Sequence, residues 1–172
     1  TMAKEKQSSL SPKVKSLIAS GASALVILGQ FLGEKEGTSL TVYLDSAKIA
    51  TVCTGHMDRT MKAGTVYTQK QCDDFFKSDI GASFAAVNRQ LVPTPPNAAS
   101  LAGVTSFCGY NIGEGKCAKS TFRKLWNAGD RPAACKQILR WIMDGGKDCR
   151  IPASGCAGQV IRRQQEAELC AM

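Results

Sequence analysis

Three side chains in the first third of the chain, Glu36, Asp45 and Thr51, have the types and spacing for hydrolytic chemistry. Cleaving a glycosidic bond takes one group that protonates the leaving oxygen and a second that activates water or attacks the anomeric carbon. Carboxyl groups suit both tasks, because burial and neighbouring charge can drive their pKa values apart. A threonine hydroxyl beside them can orient the water. Singly, a Glu and an Asp near a hairpin are ordinary solvated surface charges. Their spacing, eight residues and then five, gives them interest.

The frame for these groups is legible in the flanking residues. Residues 38–56 read as extended structure, since Thr41-Val42-Tyr43 and Ile49-Ala50-Thr51-Val52 are rich in β-branched side chains. Asp45-Ser46 between them suits a turn. Thr68 and Gln71 form a capping box. Phe75, Phe76, Ile80, Phe84, Val87 and Leu91 follow at helical spacing. That helix should stop before Pro93, Pro95 and Pro96, and this proline-rich stretch is the expected boundary between two lobes. Helices are expected over roughly 98–111, 120–127, 131–143 and 157–169, the third opened by Asp130 and Pro132 and ended by Gly145-Gly146.

The 172 residues carry a formal net charge of +8. Lys4, Lys6, Lys13 and Lys15 stand against Glu5 in residues 1–33, so most of the excess belongs to the body. A basic body favours an anionic partner or simple solubility. Zinc-finger spacing, an RNP-type aromatic run and a basic heptad region are all missing, so nucleic acid is not expected. The eight cysteines include no CxxC pair and His56 is the single histidine. That argues against a metal site and for disulfides in an oxidising compartment. No cofactor is called for.

Residues 16–33 form a weakly apolar run, diluted by Ser20, Gly21, Ser23, Gly29 and Gln30. It barely reaches the ~20 residues that span a bilayer. Lysines on its N-terminal side predict an N-inside orientation. As a cleavable signal it lacks small residues after its most apolar part. As a permanent anchor it is too polar, and a buried amphipathic helix is a third reading. A marginal anchor that can also leave the membrane accounts for all its features.

The sequence resembles the phage-type lysozymes, glycoside hydrolase family 24, over residues 34–172. The resemblance is carried by Glu36-Gly37, Tyr43-x-Asp45 and Thr51-Val-Cys-x-Gly55-His56. Downstream it continues in Ser106-Phe107-Cys108-Gly109-Tyr110-Asn111-Ile112-Gly113, Leu125-x-Asn127-x-Gly129-Asp130, Gly145-Gly146-Lys147 and Arg162-Arg163 before Glu166. It implies an α+β fold: a mainly helical, lysozyme-like body with a small N-terminal β-hairpin lobe, a helical C-terminal lobe and the active-site cleft between them. It implies Glu36 as general acid, Asp45 as base or stabiliser and Thr51 as the group that places water. Asn111 and Tyr110 would contact substrate, Arg162, or its neighbour Arg163, would be the cation near Glu36, and His56 would pair structurally with Asp79. It implies the disulfides Cys53–Cys72, Cys108–Cys117, Cys135–Cys170 and Cys149–Cys156. Inversion at the anomeric carbon is also implied, which asks for carboxyls roughly 6.5–9.5 Å apart.

The N-terminal part resembles the signal-anchor-release endolysins. In that subgroup a weakly apolar segment exports the enzyme, tethers it inactive to the inner membrane and later leaves the bilayer. The division implied is a basic tail and anchor segment over 1–33 and a muramidase domain over 34–172. The partners implied are the peptidoglycan glycan strand and, before release, the host inner membrane through residues 16–33. The protein would be a monomer, first at the periplasmic face of that membrane and then soluble in the periplasm. No cysteine precedes Cys53, so control by thiol exchange from the anchor is not expected. Two other readings compete: a lytic transglycosylase, which needs one glutamate and no water-activating carboxylate, and a non-catalytic wall-binding module.

Overall fold

The computed structural model describes residues 7–172; residues 1–6 of the expected basic tail lie outside the described residues. Ser11 caps α1 (Pro12–Ala19) by accepting the Val14 amide, with Pro12 in the first turn, where its missing N–H goes unneeded. Gly21, at φ +76°, turns the chain, and Ser23 caps α2 (Ala24–Glu36) through the Val26 amide. The weakly apolar run is thus divided between two helices, with its bend at residues 20–23. Leu10, Val14, Ile27, Leu28, Phe31 and Leu32 are buried against Ile80, Ala99, Ala102 and Leu169. Gly29 faces the Phe76 ring, which a Cβ would meet in ordinary van der Waals contact at 3.5 Å.

Strands β1 (Ser39–Leu44), β2 (Ala50–Cys53) and β3 (His56–Met57) form an antiparallel sheet in that order. Tyr43 pairs with Thr51 and Leu44 with Ala50, which puts Asp45 at the first position of the β1–β2 turn. Helix α3 (Gln69–Gln90) starts at the Thr68–Gln71 capping box. Its 22 residues extend about 33 Å at 1.5 Å per residue. Cys72 and Phe75 pack with Val42 and Val52 in the sheet lobe. Ile80 packs under α2, and Val87 and Leu91 join Phe107, Phe122 and Trp126 in the helical lobe. One helix therefore ties three cores together.

The helical lobe begins with α4 (Ala98–Val104), which widens into a π-helical turn over Thr105–Asn111. There the Ile112 amide reaches back to the Phe107 carbonyl. Then come α5 (Glu114–Ala118), α6 (Thr121–Asn127), α7 (Arg131–Gln137) and a 3₁₀ turn (Ile138–Arg140). The hairpin β4 (Met143–Asp144) and β5 (Lys147–Asp148), a second 3₁₀ turn (Pro152–Ser154) and α8 (Gly158–Ala171) complete it. Disulfides join Cys53 to Cys72, Cys108 to Cys117, Cys135 to Cys170 and Cys149 to Cys156.

Three details differ from the sequence reading. The proline-rich stretch ends α3 but does not separate lobes. The Trp126 indole donates to the Pro93 carbonyl at 2.6 Å and the Val92 amide to Asn127 Oδ1 at 2.9 Å, so the stretch is pinned to α6 within the helical lobe. The helix expected over 131–143 stops earlier. Gly145 and Gly146, at φ +54° and +80°, make the two-residue turn of the β4–β5 hairpin. Helix α5 was not anticipated; its five residues are too few for periodicity to register.

Candidate active site

Helix α2 delivers Glu36. Gly37, at φ +66°, ends the helix and turns the chain into β1. Glu36 therefore stands on the last helical position, at the seam between α2 and the sheet. Arg162 reaches it from α8, with Nη2 donating to Glu36 Oε1 at 2.6 Å and Nη1 to Asn111 Oδ1 at 2.6 Å. The two side chains are 12% and 25% exposed, so solvent screens this pair less than a surface pair. The β2–β3 turn closes over the carboxyl at Gly55. A Cβ there would meet the Tyr110 hydroxyl at 3.0 Å and Glu36 Oε2 at 3.5 Å, and φ is +75°. Glycine is needed at this position both for space and for backbone conformation.

The π-helical turn presents Tyr110 and Asn111 to the same place. A Cβ at Gly109 would run into the Ser83 carbonyl, so the turn rests directly on α3. The Tyr110 hydroxyl donates to the Thr54 carbonyl at 3.2 Å. Burial, and then the Glu36 charge, push its ionisation upward, so it acts as a neutral donor. Lys35, beside Glu36, is pushed downward by burial, opposed by Glu34.

A cleft of about 450 Å³ is lined by Glu36, Asp45, Thr51, Asp79, Tyr110 and Asn111, among others. Asp45 Oδ1 accepts the Ala47 and Ile49 amides at 2.8 and 2.9 Å. Oδ2 has no hydrogen-bond partner among the described residues. Thr51 is buried and donates its proton to the Ile49 carbonyl at 3.0 Å, leaving the hydroxyl oxygen as an acceptor. Asp79 Oδ2 meets His56 Nδ1 at 2.8 Å, and the His56 ring stacks on Phe75 at 4.1 Å. The Asn111 amide is engaged within the protein. Nδ2 donates to the Ser106 carbonyl at 2.8 Å and to Glu166 Oε1 at 2.7 Å, while Oδ1 takes Arg162. Among the described residues no group of His, Cys, Asp and Glu side chains converges as metal ligands.

Glu166 was given no role in the sequence reading. It is fully buried, accepts the Ser106 hydroxyl at 2.7 Å and is paired with Arg163. Burial pushes its carboxyl upward, against the pull of Arg163 and of the Ser106 hydroxyl. The available signal was an acidic residue one turn after two arginines, on the helix face that also carries Leu169 and Cys170. Gly55 stands in the Thr51–His56 motif, but the motif by itself assigns it no role.

The family model described as phage lysozyme matches residues 33–166. The chain belongs to the phage lysozyme family. It is a glycoside hydrolase with an α+β lysozyme fold. It is 47% identical over 166 residues to the SAR-endolysin of Escherichia phage N15, covering 93% of each chain. It is 44% identical to the SAR-endolysin of Escherichia phage 933W, over 98% of this chain and 96% of that one. Among solved structures, the endolysin from Escherichia coli O157:H7 phage FAHEc1 matches with a TM-score of 0.68 and 28% identity, over 86% of this chain and 89% of that one. The family match starts at Gly33, so the enzyme's first two helices lie almost wholly outside it.

Proposed function

We propose that the enzyme is a phage endolysin that hydrolyses the β-1,4 bond between N-acetylmuramic acid and N-acetylglucosamine in peptidoglycan, lysing the host cell. The observation that carries this reading is Glu36, held by Arg162 in the cleft that Asp45 and Thr51 also line. Protonated Glu36 gives its proton to the glycosidic oxygen as the bond to the anomeric carbon breaks. A water held by Asp45 Oδ2 and the Thr51 oxygen adds to that carbon from the opposite face, and Asp45 takes the water's proton. Arg162 stabilises the carboxylate that Glu36 becomes. The reaction consumes one water and inverts the anomeric centre. Asn111 and Tyr110 border the sugar site, and His56 with Asp79 fixes the β3 edge against α3.

Residues 16–33 are read as an anchor that tethers the inactive enzyme to the host inner membrane and is later released, giving soluble periplasmic enzyme. The names of the two relatives and the weak apolarity of the run support this. Among the described residues no helix is long and apolar enough to cross a membrane. The tethered state therefore requires α1 and α2 to leave the body and straighten at Gly21.

Turbidity loss of purified cell wall with wild type and Glu36→Gln, with product masses, tests the catalytic reading. Hydrolysed products carry an added water. Anhydro products would point to a transglycosylase, and clearing by Glu36→Gln at wild-type rate would remove Glu36 from the mechanism.

A further inference from the structure

Glu166 is the one fully buried carboxylate among the described residues. A charge in that position is tolerated only when its lone pairs are met. Here Oε1 accepts the Ser106 hydroxyl and Asn111 Nδ2, each at 2.7 Å, and Oε2 accepts Arg163 Nη1. Stability is a weak reason to keep such a pair, since apolar side chains of similar volume often serve as well or better. The carboxylate does something that apolar side chains cannot: it dictates which way round the Asn111 amide sits.

An asparagine amide has a donor end and an acceptor end of nearly equal shape, and its neighbours decide the orientation. Three acceptors surround Asn111 Nδ2: Glu166 Oε1, the Ser106 carbonyl at 2.8 Å and Ser106 Oγ at 3.1 Å. Oδ1 is therefore turned toward Arg162 Nη1, and the other arm of that guanidinium meets Glu36. We propose that Glu166 is a positioning residue: it holds the Asn111 amide in one orientation, which fixes Arg162 and through it the Glu36 carboxyl. This rests on the reading of Glu36 as the general acid.

Glu166→Gln tests the idea sharply. Arg163, a fixed cation, claims the glutamine oxygen. The new NH₂ then faces Asn111 Nδ2, donor against donor, and displaces the amide, so Arg162 loses its fixed acceptor. Initial rates on soluble, uncross-linked glycan strands should show kcat down by at least about tenfold, as expected of a misplaced catalytic group, with KM within about twofold of wild type. A second variant separates positioning from folding. Arg163→Met with Glu166→Met replaces the buried pair by apolar chains and should keep or raise the Tm, yet lose kcat to the same extent. Arg162→Gln should leave nothing more for Glu166→Gln to remove, so the double variant should match Arg162→Gln alone. A folded Met–Met variant with wild-type kcat, or losses that multiply in the double variant, would overturn the proposal. If only Glu166→Gln folds, the kcat–KM split and the double variant decide. Glu36→Gln runs alongside: its retaining activity removes the acid assignment itself, whereas its inactivity beside a fully active Met–Met variant removes only the role of Glu166.

Discussion

The α1–α2 segment and the helical lobe from α4 to α8 are secured by different kinds of bond. Three disulfides lie within the helical lobe, and the fourth ties β2 to α3. None reaches residues 7–36. That segment is held by its buried apolar face and by a few polar clasps. Glu168 accepts the Ser8 hydroxyl, the Ser9 amide at 3.0 Å and the Ser9 hydroxyl at 2.9 Å. Gln165 donates to the Ser9 carbonyl at 2.6 Å, and Arg162 to Glu36 at 2.6 Å. The part of the enzyme that carries Glu36, the proposed catalytic acid, is thus the part that no disulfide ties to the body. On the proposed release, docking α2 and assembling the site would be one event, because the groups that meet the Glu36 carboxyl, Arg162 and Gly55, belong to the body.

The largest predicted effect comes from trapping the segment in the undocked state. Gly21→Leu with Ser23→Leu and Gln30→Leu raises its apolarity and favours the membrane. The same change strains the docked form, because Gly21 sits at φ +76° and Ser23 is the cap of α2. We expect the variant to stay in the membrane fraction after depolarisation, with no lysis. Soluble, active enzyme at wild-type levels would mean that the segment is an export signal or a plain core element.

Cavity substitutions sharpen the contrast between the regions. Phe31 and Phe122 are both fully buried, one in each region. Truncating either to Ala should cost about 3–5 kcal/mol. Phe31→Ala should free α1 and α2 locally, abolishing activity while amides of the disulfide-bonded lobe keep their exchange protection. Phe122→Ala should instead lower the global Tm. Hydrogen exchange read segment by segment distinguishes them, and equal loss of protection in both regions for Phe31→Ala would show that α1–α2 is not a separate unit.

The staples themselves should rank by loop length. Cys135–Cys170 closes 35 residues and Cys149–Cys156 closes 7. Replacing both cysteines of the first pair by Ala should cost about 4 kcal/mol, and of the second about 2 kcal/mol, by loop-closure entropy. Denaturant titration checks the order.

What could be read from the sequence was mostly local. The α3 start announced itself because Thr68 and Gln71 cap each other within one turn. The extended run with its Asp45 turn was legible because β-branched residues flank a turn former. Glu36, Asp45 and Thr51 stood out through spacing in a recognisable pattern. The network behind them did not, since Glu166 lies 55 residues from Asn111 and 60 from Ser106, and only the fold brings them together. The bend at residues 20–23 was legible in part, because Ser20, Gly21 and Ser23 interrupt the apolar run, but its place depends on Gly21 at φ +76° and on the Ser23 cap of α2. The proline-rich stretch misled because helix breaking is a local property, whereas a lobe boundary depends on what Trp126 and Asn127 do with the freed backbone groups.

The smallest predicted effect is a pH dependence confined to the rim of the stapled lobe. Arg89, near the end of α3, grips Glu114, in the first turn of α5, through two hydrogen bonds, and Gln90 adds a third at 2.9 Å. Those hydrogen bonds to Arg89 and Gln90 hold the Glu114 carboxyl down at about 2. A depressed carboxyl contributes stability that is complete above its unfolded value and disappears as pH falls through the folded one. The Tm difference between wild type and Glu114→Gln should therefore be constant above pH ~4.5 and shrink toward pH ~2. Asp148 is held at about 2 in the same way by Arg150, only two residues away. A pair so close along the chain persists in part when the protein unfolds, so Asp148→Asn should show the same window with a smaller amplitude. Both pairs are solvent-exposed, and salt should weaken both. Activity per folded molecule should follow neither curve, because both pairs lie outside the α2–Arg162 contact. A pH-independent Tm difference for Glu114→Gln would show that the α3–α5 contact is held by packing rather than by charge.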